Sequence, residues 1–209
     1  MLQLILINII YPQEPETAMY TKKRILIIAA SPRKNGNSTI LASKAAEGVK
    51  ASGGKADLVP IGNLKIAPCN GCDACIANPE AGCVVRDDMQ PLYQKIRDAL
   101  GVIFATPIYW FTMSAQLKAF IDRSYAIQGN DSWAFTGKNV GVILTYGDSD
   151  VFASGGINAL RTFQDICAYS KAKLVGTVYG TANKPGDIQT NGDLLEKAYD
   201  LGEKMVNTS

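Results

Sequence analysis

The chain has 209 residues, with 21 basic and 19 acidic side chains and no histidine. A net charge of +2 leaves no broad basic field for nucleic acid or an anionic membrane surface, so neither is expected as a partner. The missing histidine removes the commonest general base, the commonest metal ligand and every Ser-His-Asp or Cys-His arrangement at once.

The length suits one α/β domain. "MLQLILINII" (1–10) is apolar over too short a run to span a bilayer and has no basic residues before it. It is a weak secretory signal, with only "ETA" before Met19 imitating a cleavage site, and Met19 itself reads as a natural start. Residues 1–22 are therefore set apart as an extension, expected to dock as an extra strand or against a partner, and 23–209 as the domain.

From Arg24 onward, buried-strand runs alternate with helical stretches, the pattern of a parallel sheet covered on both faces. "RILIIAA" (24–30) is the first strand, and Ser38 to about Ser52 the first helix, closed by Gly53 and Gly54. "KADLVPI" (55–61) is the second strand, which Pro60 directs to an edge. A cysteine-rich stretch at 66–86 follows. Asp87 and Asp88 are candidate N-caps for a helix that buries Leu92, Ile96 and Ala99. "GVIFATP" (101–107) is the third strand, and a helix from Ser114 presents Leu117, Phe120, Ile121 and Tyr125 on one face. "KNVGVILTYG" (138–147) is the fourth strand, before a helix with Ile157, Leu160, Phe163 and Cys167 inward. "KLVGTVYG" (173–180) is the fifth, and Leu194, Leu195, Ala198, Leu201 and Met205 mark a closing helix. Five strands with intervening helices point to a flavodoxin-type or Rossmann-type sheet.

In such sheets a ligand lies beyond the carboxyl ends of the strands. "SPRKNGNST" (31–39) joins strand to helix and offers hydroxyls and backbone N–H groups to a phosphate at the helix N-terminus, with Arg33 and Lys34 adding charge. It contains neither a Walker A pattern nor G-x-G-x-x-G, so a single phosphomonoester is the better guest than a dinucleotide. A well-capped connection with no ligand has the same look. "TPIYWFTMS" (106–114) sets Tyr109, Trp110 and Phe111 side by side in a connecting loop, which calls for a flat ligand or a neighbouring subunit. "YGDSD" (146–150) adds a third loop at the same edge. A phosphate cradle with aromatic walls describes FMN.

Taken together, "SPRKNGNST", "PCNGCDAC", "VVRDDM", "GVIFATPIYWFTMSAQLKAFIDR" and "KPGDI" resemble the NAD(P)H-dependent FMN reductase and iron-sulfur flavoprotein group of flavodoxin-like proteins, over roughly residues 24 to 205. The resemblance implies an α/β three-layer sandwich with a five-stranded parallel sheet in the order 2-1-3-4-5. It implies that Ser31, Arg33, Asn37, Ser38 and Thr39 hold the FMN phosphate. Thr106, Pro107, Ile108, Tyr109 and Trp110 would line the flavin ring, and Tyr146 and Gly147 would close its third side. NAD(P)H would be the co-substrate, and a homodimer or homotetramer the assembly. Hydride transfer to a flavin needs alignment more than acid–base groups, so no side-chain base is expected. An electron carrier without enzymatic turnover, fed by ferredoxin, and a flavin-binding regulatory module are the rival classes; the near-neutral charge speaks against an acidic carrier.

Four of the five cysteines remain to be assigned. Cys69, Cys72 and Cys75 follow C-x2-C-x2-C and Cys83 comes seven residues later, a spacing able to wrap an iron-sulfur cluster. A bacterial ferredoxin run would place the fourth cysteine closer and follow it with proline, whereas Val84 follows here. The resemblance implies a [4Fe-4S] centre; reduced thiols without metal, structural zinc and disulfides stay open. The five thiols are not needed to staple a domain of this size, so a reducing cytoplasmic setting is expected. Cys167 reads as a small core residue.

Overall fold

The computed structural model describes residues 23–129 and 132–208, so the expectation for the extension at 1–22 lies outside the described residues. In chain order the elements are β1 (Arg24–Ala29), α1 (Asn37–Ala51), β2 (Lys55–Pro60), α2 (Ala74–Ala77), α3 (Gln90–Asp98), β3 (Gly101–Tyr109), β4 (Thr112–Met113) and α4 (Ala115–Arg123). After a 3-10 turn at Ser124–Ala126 come β5 (Gln128–Gly129), β6 (Ser132–Trp133), β7 (Asn139–Tyr146), α5 (Gly156–Ser170), β8 (Lys173–Thr181), a 3-10 turn at Asp187–Thr190 and α6 (Gly192–Asn207).

The main strands lie in the order β2-β1-β3-β7-β8 and pair in parallel throughout, which is the expected five-stranded flavodoxin-like arrangement. Strands buried on both faces read as near-continuous apolar runs. β7 is buried along its whole length and β3 over its first six residues, while β2, carrying Pro60, takes one edge and β8 the other. Because side chains alternate across a strand, Leu26, Ile28, Val102, Phe104, Val142 and Leu144 face one layer, built with Leu92, Ile96, Leu117, Phe120 and Phe163 of α3, α4 and α5. Ile25, Ile27, Ile103, Ala105 and Ile143 face the other, against Leu41, Ala45, Val49, Ala198, Leu201 and Met205 of α1 and α6. Cys167 sits in the first of these layers, where burial pushes its thiol up to about 11.

Within the second layer α1 and α6 approach until no side chain fits between their backbones. A Cβ on Gly48 would stand 2.0 Å from the carbonyl oxygen of Tyr199, and one on Gly202 would stand 2.0 Å from that of Ala45. Helix propensity alone favours alanine over glycine by about 1 kcal/mol. Overpacking at such a contact costs about 1–3 kcal/mol and outweighs that gain. Gly202→Ala is therefore expected to lower stability, read as a lower urea midpoint at unchanged slope.

Three local expectations are corrected. Asp87 and Asp88 do not cap α3, whose N-cap is Met89 with no side-chain hydrogen bond. Both carboxylates instead reach back to the cysteine loop, Asp88 Oδ2 accepting from Lys65 N at 2.7 Å and Asp87 Oδ2 from Ala67 N at 2.9 Å. The aromatic stretch expected as a connecting loop is a hairpin: β3 runs on through Tyr109 and pairs antiparallel with β4, Ile108 facing Met113 and Tyr109 facing Thr112. Tyr125 lies beyond the end of α4 in a 3-10 turn and is exposed, and Ile157 at the start of α5 is exposed as well.

Candidate functional site

At the carboxyl ends of β1, β3 and β7, where the connection reverses direction between β1 and β3, an open cleft of about 200 Å3 is bounded by Ser31, Arg33, Gly36 and Asn37 on one side, and by Pro107, Ile108 and Tyr109 on another. Thr145, Tyr146, Gly147, Ala182, Asn183 and Pro185 complete it. The three loops singled out in the sequence thus meet at one place. A fourth, at 182–185, was missed as a wall of the site, although the "KPGDI" stretch belonged to the resemblance.

The residues expected at the cleft fall into two groups. Ser31, Arg33, Asn37, Pro107, Ile108, Tyr109, Tyr146 and Gly147 line it directly. Ser38 and Thr106 are fully buried behind it. Thr106 Oγ1 accepts from Ser114 N at 3.0 Å and donates to the Pro107 carbonyl at 2.9 Å, so it braces the strand end. Thr39 is a half-buried residue of the first turn of α1, and Trp110 stands outside the cleft. Asn37 does a job that the sequence did not disclose. Its Nδ2 donates to Lys184 O at 2.9 Å, while its Oδ1 accepts from Gly186 N at 3.0 Å and Ile188 N at 3.3 Å, fastening the 184–188 loop to α1. Arg33 Nη1 adds a bond to Asn183 O at 3.0 Å.

A phosphate fits this end of the cleft. The first turn of α1 presents N–H groups that an α-helix leaves without internal partners. Ser38 Oγ is buried and has no hydrogen-bond partner, an orphaned donor beside the cleft-lining Asn37. Burial first, then the neighbouring Tyr179 and Asp150, push Tyr146 above its ordinary range, so its hydroxyl stays protonated and available as a donor.

A shallower recess of about 340 Å3 shares Ile108, Tyr146 and Gly147 with the cleft and adds Trp110, Phe111, Asp148, Ala153 and Ser154. Its wall is the turn of the β3–β4 hairpin. Trp110 and Phe111 have φ of 46° and 66°, the two positive values of a type I′ turn, a conformation usually given to Asn-Gly. Phe111 leans on Gly155, where a Cβ would come within 2.4 Å of the Phe111 Cβ, and its carbonyl accepts from Asn158 Nδ2 at 3.2 Å. Trp110 is 91% exposed and so receives little packing in return for its strain. Trp110→Gly is expected to leave the ligand-free protein as stable or up to about 1 kcal/mol more stable in urea unfolding, because glycine adopts positive φ at no steric cost.

The cysteine loop hangs between β2 and α3. Cys69 and Cys72 are exposed, Cys75 and Cys83 half-buried, and all five cysteines are free thiols. All four loop cysteines line one small pocket together with Val84, Val85, Asp122, Arg123, Tyr125 and Ala126. Among the described residues no three histidine, cysteine or acidic side chains are gathered tightly enough to hold a single metal ion, so a compact tetrahedral zinc site is not preformed.

Arg123, only 1% exposed, holds this loop in place. Its Nη1 donates to Asp87 Oδ2 at 2.6 Å and to Ala67 O at 2.9 Å, and its Nη2 to Val85 O at 3.1 Å and Asp87 Oδ1 at 3.2 Å. Burial acts to raise the Asp87 carboxyl, but Arg123 and the Ala67 and Met89 N–H groups outweigh it and the net shift is downward. The same competition acts on Cys83: burial raises the thiol, while the Val85 backbone, Tyr93 and Arg123 together bring it below the ordinary thiol range. Cys75 moves the other way, raised first by burial and then by the neighbouring Cys83, Cys69 and Cys72.

The fold defines a flavodoxin-like α/β protein with an open cleft at its switch point. Comparison with known proteins narrows the class. The profile of the NADPH-dependent FMN reductase family matches residues 23–186, and the chain belongs to that family. It is accordingly an FMN-dependent oxidoreductase. It is 33% identical to an iron-sulfur flavoprotein of Archaeoglobus fulgidus over 86% of this chain and 77% of the relative. With an iron-sulfur flavoprotein of Methanosarcina thermophila it shares 40% identity over 60% of this chain, a match that spans 64% of that relative's length. The fold is shared with the NAD(P)H:quinone oxidoreductase from Methanothermobacter marburgensis, at a TM-score of 0.68 and 17% identity over 90% of this chain and 99% of that one. Among the described residues no helix is long and apolar enough to cross a membrane.

Proposed function

We propose that this protein takes electrons from NADH or NADPH through FMN and passes them to a small-molecule or protein acceptor, with a [4Fe-4S] cluster on Cys69, Cys72, Cys75 and Cys83 as a second redox centre. The observation that carries the reading is the pair of adjoining hollows: a cleft bordered by the start of α1, and a recess that shares Ile108, Tyr146 and Gly147 with it.

Ser31, Arg33, Asn37, Ser38 and Thr39 would hold the flavin phosphate, aided by the N–H groups at the start of α1. Thr106 would brace Pro107, Ile108 and Tyr109 against the ring, and Tyr146 and Gly147 would bound its other side. Bound FMN supplies the hydride acceptor and the means of delivering electrons onward. The chain contributes orientation and water exclusion: Trp110 and Phe111 wall the recess where a nicotinamide would lie, and the neutral Tyr146 hydroxyl donates without exchanging a proton. No side-chain base is needed for hydride transfer, in keeping with a chain without histidine.

For the cluster, the relatives named iron-sulfur flavoprotein and the four thiols around one pocket are the support. The exposed Trp110 and Phe111 support a homodimer or homotetramer, and the free thiols a reducing compartment such as the cytoplasm. A second reading, an electron-transfer flavoprotein fed by ferredoxin, is favoured by the exposure of Cys69 and Cys72, which would bring a cluster close to the surface.

Absorption spectra of anaerobically purified protein before and after NADH or NADPH separate the two. Bleaching of the flavin band by either nucleotide is the expected result. A flavin that stays oxidised with both, yet is reduced by ferredoxin, rejects the first reading in favour of the second.

A further inference from the structure

The recess beside the cleft is bounded by two stretches of chain that differ in kind. The stretch 106–114, which forms the β3–β4 hairpin, contains no acidic or basic side chain and brings Trp110 and Phe111, whose rings meet edge to face at 6.4 Å. The stretch 146–158 carries two acidic side chains, Asp148 and Asp150, and no lysine or arginine. Among the described residues that line the recess, Asp148 is the one with a charged side chain. It is held in place: its Oδ1 accepts from Ser149 N at 2.7 Å, and its carbonyl accepts from Thr181 Oγ1 at 2.8 Å. Asp150 is fixed in the same turn, with Oδ1 accepting from Phe152 N at 2.7 Å and from Ala153 N at 2.9 Å. The basic residues on the adjoining elements are engaged elsewhere. Lys118 and Arg161 pair with Asp122 and Asp165 on their own helices, and Arg33, among the residues of the cleft that are not shared with the recess, donates to Asn183 O at 3.0 Å. An aromatic wall with one carboxylate has a definite preference. Ring faces are negative and attract flat, electron-poor or positively charged systems. A fixed carboxylate in a concave wall deepens that potential and repels anions.

We infer that the recess admits a flat aromatic electron acceptor that is neutral or positively charged, and that Asp148 is the residue that turns anionic acceptors away. The inference rests on the flavin reading above and narrows its acceptor class. The electron balance is that of a hydride equivalent. A cationic phenothiazinium dye such as methylene blue takes two electrons and one proton to its neutral leuco form, while NADH gives up the same and leaves as NAD+. A quinone takes two electrons and two protons, the second proton coming from water. Asp148 exchanges no proton in either case and acts through its charge on approach and binding. One unit charge at a partly solvated surface, about 5–10 Å from a charged ligand, changes its binding by about 3- to 10-fold.

The test takes the FMN-loaded full chain, reduced with stoichiometric dithionite so that the outcome does not depend on the nucleotide. Reoxidation of the flavin is followed with methylene blue (cationic), menadione (neutral) and indigo disulfonate (anionic), for wild type, Asp148→Asn and Asp148→Lys. Asparagine keeps an acceptor for Ser149 N and loses the charge. With menadione as the reference, Asp148→Asn is expected to lower the relative rate for methylene blue about 3- to 10-fold and to raise that for indigo disulfonate by a similar factor. Asp148→Lys moves both further in the same directions, and high salt compresses all the differences. A second readout needs no flavin. Trp110 and Trp133 are the two tryptophans of the chain, so in a Trp133→Phe background indole fluorescence reports on the recess. There Asp148→Asn is expected to weaken quenching by caesium and strengthen quenching by iodide. Relative rates that stay unchanged in both variants overturn the inference. If the quenching shifts while the rates do not, the charge is present but acceptors reach the flavin by another route, which overturns it equally and leaves the flavin reading standing. A chain that takes up no FMN overturns the flavin reading and this inference with it.

Discussion

Arg123→Met is expected to destabilise the protein by about 3–5 kcal/mol, the cost of leaving a buried charge without its partner. The size follows from burial: the Arg123 side chain is 1% exposed and that of Asp87 11%, and the pair is closed by two contacts. Exposed pairs in the same protein, such as Lys118 with Asp122, would cost about 0–1 kcal/mol and serve as controls. The effect also has a pH signature. The Asp87 carboxyl is held below its ordinary value of 3.8, so its contribution is fully present above that pH and is lost as pH falls through the lower folded-state value. In the variant the unpaired carboxylate is disfavoured and its proton is bound more tightly. The gap in stability between wild type and Arg123→Met is therefore widest near neutral pH and narrows as pH falls through the variant's raised Asp87 value and on through the wild type's lowered one. Urea unfolding at a series of pH values measures it, and a gap that stays constant into acid would contradict the assignment to Asp87.

Ser38→Ala is expected to weaken FMN binding by about 10- to 100-fold, the range of one charge-assisted hydrogen bond. The same change should stabilise the ligand-free protein by about 1 kcal/mol, because it deletes a buried hydroxyl that the fold leaves without a partner. Opposite signs in the two measurements make the prediction specific. A residue that merely packed would lose stability and leave affinity untouched. Flavin fluorescence on titrating the ligand-free protein reports the first quantity and urea unfolding the second. Unaltered affinity would show that the Ser38 hydroxyl does not meet the phosphate.

The recognisable features share a physical origin. β1, β3 and β7 were legible because a strand covered on both sides is largely apolar, and such runs stand out in any sequence. The edge placement of β2 followed from Pro60, which has no N–H to give a second neighbour. The three cleft-forming loops could be picked out because each follows a strand, and parallel α/β topology brings those ends to one edge.

What went unread depended on partners remote in sequence. Asp87 looks like a helix cap because capping is local, whereas its actual partner is Arg123, 36 residues away. Trp110 and Phe111 carry none of the turn residues that announce a hairpin; their positive φ values are held by the pairing of β3 with β4 and by contact with Gly155 and Asn158. Asn37 looks like one more phosphate-facing polar residue, and nothing in the sequence shows that its side chain also ties down the loop at 184–188, nearly the whole length of the domain away.

By itself, then, the sequence determined the layered α/β class, the interior faces of its strands and helices, and the loops that border the cleft, since periodicity and composition act over a few residues. The tertiary structure alone decided which polar groups are paired and which are left waiting. Burial and hydrogen bonding belong to the packed chain, and the cost of an unmet donor exists only once water has been excluded around it.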